Sequence, residues 1–279
     1  FDVMREKKLS EATVGFDTHA APGFEVFKFR KWNPKINMVE NDEVMMELRI
    51  VKSSEEIEAM KKAARVADTG MKAAMETIAE GVIENEIAAE AEYAMRKAGS
   101  ERLGAISFVN SGERSIYLHG FVTHRKIERG DIVIVDLHPV TNMYACDLAR
   151  TFVAGEPSDA QKEAYEVYYQ AQKLARESIR PGWKVGDVTK FIAEYIQKTD
   201  YAKYVVPGYI HGVGLEFEEF PHPSHYVQHS NIELKPDMTV TIGHAVLPVP
   251  GVGGFRIEDT VRITVDGCES LTNFKRELI

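Results

Sequence analysis

The sequence predicts an α+β fold built twice over. Two similar halves, each a ribbon of strands under a pair of helices, face each other across a cleft. Three observations predict this. Two long amphipathic helices, each opened by its own capping signal, recur about a hundred residues apart, a period that marks domain duplication and not a short-repeat solenoid. Each is followed by a shorter helix and then by a His-Gly step, His119-Gly120 in one half and His211-Gly212 in the other. Each step leads to an acidic residue and a β-branched run, at Gly130-Asp131 and Pro236-Asp237.

The elements follow in order. Residues 1–50 read as irregular, broken by the turn signals Ala21-Pro22-Gly23 and Trp32-Asn33-Pro34. Ser53 and Glu56 form an S-x-x-E capping box that starts a helix. Ile57, Met60, Ala64, Ala67, Met71, Met75 and Ile78 then recur at steps of three and four, one face of a helix, and Gly81 stops it. The methionines belong to core packing. A second helix is expected over 84–99. Strands are expected over 105–109, 131–136 and 144–153, where β-branched and apolar residues run between turn signals. Ser158 and Gln161 open the second long helix, which ends before Pro181-Gly182. A further helix is expected over 187–198, and late strands over 238–242 and 255–264.

The composition bounds what the chain does. Its 279 residues are 44% hydrophobic and 28% charged, as in an ordinary soluble globular protein with room for a large core. A formal net charge of -9 argues against nucleic acid as a partner, which needs a concentrated basic face. Two distant cysteines, Cys146 and Cys268, form no CxxC pair and fit a reducing, cytoplasmic setting. No apolar run approaches the ~20 residues of a membrane span. The chain begins at Phe1, so it is expected to be a piece of a longer protein.

The chemistry gathers around carboxylates. Asp136 ends the apolar run Ile132-Val133-Ile134-Val135, and Asp147 follows a turn later. In a hairpin both can share one face. Two unpaired carboxylates drawn into a core are costly, and a divalent cation compensates them. Glu258 sits in another apolar strand, and His211 between Ile210 and Gly212. Carboxylates with an imidazole suit Mn, Fe, Co or Zn, and two such ions can activate water and polarise a carbonyl. Cys146, beside Asp147, points to the opposite face as a small core residue.

Four ordered blocks carry a resemblance. Gly130-Asp131-Ile132-Val133-Ile134-Val135-Asp136 with Tyr144-Ala145-Cys146-Asp147 and Arg150-Thr151-Phe152 resembles the first metal-ligand block of the pita-bread metallopeptidase superfamily. His211-Gly212-Val213-Gly214-Leu215 resembles its HGxGL block, and Gly253-Gly254-Phe255-Arg256-Ile257-Glu258-Asp259-Thr260 its GGxRxEDT block. The arginine in that last block, and Ile50-Val51-Lys52-Ser53-Ser54-Glu55-Glu56-Ile57, are similar to the Xaa-Pro aminopeptidase, prolidase and creatinase branch. The resemblance covers the chain from about Arg49 onward. It implies a duplicated pita-bread fold, a curved antiparallel sheet covered by two pairs of helices. It also implies a catalytic domain over 51–279, with 1–50 the remnant and linker of an N-terminal domain. Asp136, Asp147, His211 and Glu258 become implied metal ligands for one or two divalent ions (Mn, Co, Fe or Zn). His119 is an implied substrate-binding and proton-transfer residue, Arg256 an implied substrate-binding residue and Glu219 an implied catalytic acid. A homodimer is a further implication, as is a small peptide or small-molecule amide substrate.

Three positions depart from the family pattern. Glu218 stands where the family has histidine before Glu219, and His138 where it has glycine two residues after the first aspartate. Gly243-His244-Ala245 replaces an EPG step whose glutamate binds metal and shuttles protons. Counting from Asp237 puts Gly243 at that glutamate position; counting back from Arg256 puts His244 there. His244 would keep the site filled, with two imidazoles and three carboxylates, whereas Gly243 would leave one ion short of a ligand. Glu218 is the candidate to take over proton transfer. His222, His225 and His229 are expected on the surface of a loop near the cleft mouth. The leading expectation is a metal-dependent hydrolase of a peptide or amide C–N bond, like an Xaa-Pro peptidase. The alternatives are a creatinase-like or lyase-like enzyme on a non-peptide small molecule, and an inactive pita-bread protein that binds a partner.

Overall fold

The computed structural model describes residues 2–17, 21–222 and 227–279. It divides into two compact units, Phe1–Ile50 and Val51–Ile279. The first unit carries more regular structure than its turn signals imply. It has helices Asp2–Glu6, Gly23–Trp32 and Asp42–Ile50, and a parallel strand pair, Thr13–Phe16 with Asn37–Glu40. Pro22 and Asn33, read as loop markers, are the two ends of the middle helix. The Asn33 amide closes it on the Phe29 carbonyl at 2.9 Å.

In the second unit four helices come as two matching pairs: α1 (Ser54–Thr77) with α2 (Glu84–Lys97), and α3 (Asp159–Ser178) with α4 (Val185–Ile196). Both long helices start at the capping boxes read from sequence. Ser53 accepts from Glu56 N and Ser158 from Gln161 N, and each partner side chain accepts from the cap's own N–H. Each pair turns at a left-handed glycine, Gly81 and Gly182, both at φ 89°. α1 and α2 bury Met60, Met71, Ile87 and Met95 against Val133, Val135 and Leu137.

The strand pairs of this second unit are antiparallel. β1 (Phe108–Ser111), β2 (Ile132–Leu137) and β3 (Leu148–Val153) form one sheet with β2 central. β4 (Thr239–Ile242), β5 (Asp259–Ile263) and β6 (Cys268–Ser270) form its counterpart with β5 central. The halves meet where Ala149 and Glu258 exchange backbone hydrogen bonds of 3.3 and 3.0 Å. Next to that bridge, Asp259 accepts from Arg150 at 2.7 Å, Gln172 at 2.9 Å and Arg276 at 2.6 Å, which locks β5 to β3 and α3.

Two expected strands are interrupted. The run over 144–153 stops at Cys146-Asp147, and the run over 255–264 stops at Arg256-Ile257-Glu258. In both, the ladder gives way beside a residue that joins the buried polar cluster, Asp147 in one and Glu258 in the other. The strand expected over 105–109 lies further on, as β1, because the Glu84 carboxylate binds Ser111 N and Oγ at 2.9 and 2.8 Å and anchors its far end. Among the described residues no helix is long and apolar enough to cross a membrane.

Candidate metal centre

The hairpin explains how two aspartates come to share one buried spot. β2 and β3 pair Asp136 with Ala149 and Leu137 with Leu148, and the same register resumes beyond at Val140 with Ala145. His138 therefore stands opposite Asp147, on the face that also carries Asp136. Glu258 reaches this face through its bridge to Ala149, while its neighbour Asp259 points the other way, to Arg150. His211 precedes Gly212, whose backbone bridges both Glu219 and Val240. His211 Nδ1 donates to the Gly212 carbonyl at 2.9 Å, which leaves Nε2 to face the cluster.

The register left open at Gly243 and His244 is resolved in space. Gly243 has φ 100°, and a Cβ there would lie 1.8 Å from the Ile257 carbonyl oxygen, so no side chain fits. His244 is the residue turned into the cluster. Its Nδ1 is 3.2 Å from His211 Nε2 and 3.2 Å from Glu258 Oε1, and its Nε2 is 3.5 Å from Glu218 Oε1.

Asp147 is the hinge of the arrangement. Its Oδ2 lies 3.5 Å from His211 Nε2, and its Oδ1 3.6 Å from His138 Nε2. His138 Nε2 is also 3.2 Å from Asp136 Oδ1. Neither Asp147 oxygen has a hydrogen-bond donor, nor does Asp136 Oδ1, although all are buried. Buried carboxylate oxygens are ordinarily satisfied, so these mark a missing partner. Atoms bound to one ion at about 2.1 Å stand roughly 3.0–3.4 Å apart, close to the separations above. Among the described residues three groups could hold a divalent metal: Asp147, His211, His244 and Glu258; Asp136, His138 and Asp147; and, nearer the surface, His119, Glu218 and His244. The orphaned aspartate oxygens belong to the first two.

Arg256 supplies a fixed positive charge inside the cluster. It donates to Asp136 Oδ2 at 2.6 Å and to Glu258 Oε2, and its Nη2 lies 2.9 Å from His244 Nδ1, so that Asp136 Oδ1 and Glu258 Oε1 are the oxygens left facing the donor groups. Burial alone would raise the Asp136 and Glu258 carboxyls, yet the guanidinium holds both below the usual carboxylate range. Asp147 has no such partner. Burial and the charges of Glu258 and Asp136 push its carboxyl well above the ordinary value. Burial drives the His244 imidazole down to about 4, which keeps it neutral as a ligand must be. Burial would likewise lower His211, but Glu258 and Glu218 beside it hold it above its ordinary value.

The sequence-predicted residues divide clearly. Asp136, Asp147, His211, His244 and Glu258 come together, all fully buried or nearly so. Glu218 and His119 flank them, 3.5 Å apart, with His119 half-exposed and stacked on Phe108 at 5.3 Å. Glu218 is largely buried and not a loose surface acid. Burial would raise its carboxyl, but His222, which hydrogen-bonds it at 3.0 Å, and the charges of His211 and His244 hold it well below the usual range. Glu219 is drawn away from the cluster into a buried ion pair with Lys52 at 2.8 Å. Arg256, expected at the substrate, is turned inward and only 1% exposed. Cys146 is buried in the core beneath α1 and α2, opposite Asp147.

Three histidines gain weight beyond what the sequence implies. His138 was a departure from a family pattern and becomes a member of a donor group. His222 and His229 were expected on the surface, and both are buried: His222 N donates to His229 Nδ1 at 3.1 Å. The His222–Glu218 spacing of four residues was the available signal. It was obscured because Phe220-Pro221-His222-Pro223 reads as an exposed turn. His225 lies outside the described residues.

Comparison with known proteins decides the family. Residues 58–265 match the metallopeptidase family M24. The chain belongs to that family. It is 41% identical over 280 residues to a Pyrococcus furiosus Xaa-Pro dipeptidase, an alignment that covers 100% of this chain and 79% of the relative. It is 40% identical over 238 residues to a Pyrococcus horikoshii Xaa-Pro dipeptidase, covering 85% of this chain and 67% of the relative. A solved P. furiosus prolidase superposes with a TM-score of 0.89 at 37% identity, over 98% of this chain and 80% of that one. A Bacillus anthracis Xaa-Pro dipeptidase superposes with a TM-score of 0.91 at 32% identity, over 100% of this chain and 77% of that one. The duplicated unit is thus the α+β pita-bread fold of the M24 prolidase branch, and the chain is a metallopeptidase-type hydrolase. The buried His–carboxylate cluster lies within the M24 match.

Proposed function

We propose that this M24 chain hydrolyses the peptide bond of small Xaa-Pro substrates, with Asp136, Asp147, His211, His244 and Glu258 holding one or two divalent ions. Mixed imidazole and carboxylate donors suit Mn, Fe, Co or Zn. One observation carries the reading: Asp147, buried and without a hydrogen-bond donor on either oxygen, faces a separate donor group with each. A divalent ion held there supplies positive charge that polarises a peptide carbonyl and acidifies water.

The chain's own residues do the remaining work. Arg256 fixes Asp136 and Glu258 by occupying one oxygen of each, so it positions donors and does not touch substrate. Glu218 is the proton acceptor: its Oε1 is buried and has no donor, while Oε2 accepts from His222. His222 holds the Glu218 carboxylate in place. His119, the most exposed imidazole of the group, meets the substrate at the cleft surface. Glu219 and Lys52 tie the Glu218 loop to the start of α1 as a structural brace. The reading is supported by the donor geometry and by the Xaa-Pro dipeptidase relatives.

The test is hydrolysis of a panel of Xaa-Pro dipeptides, with Xaa-Ala dipeptides as controls, by protein loaded with Mn, Co, Fe or Zn. Cleavage of the Xaa-Pro set that stops on chelation and returns with metal is the expected result. Metal-loaded protein that leaves every Xaa-Pro peptide intact contradicts it.

A further inference from the structure

We propose that His138 is itself a metal ligand, completing with Asp136 and Asp147 a second metal position beside the one formed by Asp147, His211, His244 and Glu258. This rests on the reading of the cluster as a metal centre.

Three observations carry it. The hairpin register sets His138 directly opposite Asp147 and two residues from Asp136, so all three side chains leave the same face. Its Nε2 stands 3.2 Å from Asp136 Oδ1 and 3.6 Å from Asp147 Oδ1, so one imidazole nitrogen faces both carboxylates. The three ligand atoms lie within 4.8 Å of one another, and the His138 contacts are close to the roughly 3.0–3.4 Å between ligands of one ion. The ring is 1% exposed and held edge-on by Phe217 at 4.7 Å and Phe108 at 5.5 Å, so its orientation is set by packing before any ion arrives.

The consequence is a nitrogen-rich centre. His138, His211 and His244 place an imidazole at both positions, with Asp147 shared between them. Imidazole favours Zn, Fe and Co over the oxygen-preferring Mn. The competing role for His138 is a protonated imidazolium that bridges Asp136 and Asp147 and neutralises them without metal.

The experiment uses the full chain, purified without chelator and saturated with zinc, comparing wild type with His138→Gln and His138→Ala. Metal per chain is measured by elemental mass spectrometry, and imidazole ligation by X-ray absorption at the zinc edge. The expected result is two equivalents in the wild type, with three imidazoles shared by two ions. Both variants should drop to one equivalent carrying two imidazoles, with circular dichroism unchanged. Variants that keep the wild-type stoichiometry and imidazole signal overturn the assignment and leave the metal-centre reading standing. So does a loss of metal-free stability in both variants with metal binding intact, the signature of an imidazolium bridge. A wild type that binds no zinc overturns both readings together.

Discussion

Asp147→Asn isolates the residue on which the site turns. The amide has nearly the shape of the carboxylate but carries no charge. In metal-free protein Asp147 is buried, without donors, and its carboxyl is raised by burial and by Glu258 and Asp136. A group raised in the fold disfavours the ionised form, so its stabilising effect is complete below the unfolded-state value and is lost as pH rises above it. At pH 7 the metal-free wild type therefore carries a penalty that the amide variant lacks. Replacing a poorly compensated buried charge by a neutral group of the same size is expected to stabilise by about 1–3 kcal/mol. At 2–4 °C per kcal/mol, that raises the melting temperature by roughly 2–12 °C. Metal reverses the order. An ion at about a thousand times its dissociation constant stabilises by roughly 4 kcal/mol, or about 8–16 °C, and only the wild type can use it. Thermal unfolding at pH 7, with and without zinc or cobalt after chelator treatment, should show the two curves crossing. A metal-free variant that melts below the metal-free wild type, or an equal gain from metal in both proteins, refutes the reasoning.

Other predictions follow the same geometry. Glu218→Gln should lower kcat on an Xaa-Pro substrate by about 100-fold or more with metal content unchanged, and full turnover would remove Glu218 from proton transfer. Arg256→Met leaves Asp136 and Glu258 unpaired in the core and should destabilise the metal-free protein by about 3–5 kcal/mol; a melting temperature within roughly 2 °C of wild type would show that the guanidinium is not their counter-charge. Burial pushes the Cys268 thiol up to about 11, so its alkylation in the native protein should be slow at pH 8 and rise nearly tenfold per pH unit toward that value. Rapid modification of Cys268 at pH 7.5 would contradict the shielding of its thiol.

Much of the fold was legible because it was written locally. Ser53 with Glu56 and Ser158 with Gln161 are complete capping signals, and the apolar steps after Ser53 fix the face α1 buries. Asp136 and Asp147 were legible as neighbours because strand alternation converts hairpin spacing into a shared face. What failed was non-local. The 1–50 unit has short helices whose Pro22 and Asn33 ends read as loop, so its parallel strand pair left no periodic trace. No sequence count distinguished Gly243 from His244, since the choice depends on the Ile257 carbonyl that fills the space beside Gly243. His222 looked exposed for the same reason: its burial comes from packing against His211, at 5.5 Å between rings, from the other side of the loop. The inward turn of Arg256 likewise left no local trace, since it follows from Asp136 and Glu258, which it pairs with from distant parts of the chain.

If the Asp147 cluster is a metal centre, chain purified without chelator carries metal, and elemental analysis of that chain is the decisive measurement. One to two equivalents of Zn, Fe, Co or Mn per chain, removed by chelation together with Xaa-Pro hydrolysis and restored together, is the predicted result. A chain that holds no metal after incubation with all four ions would contradict the account.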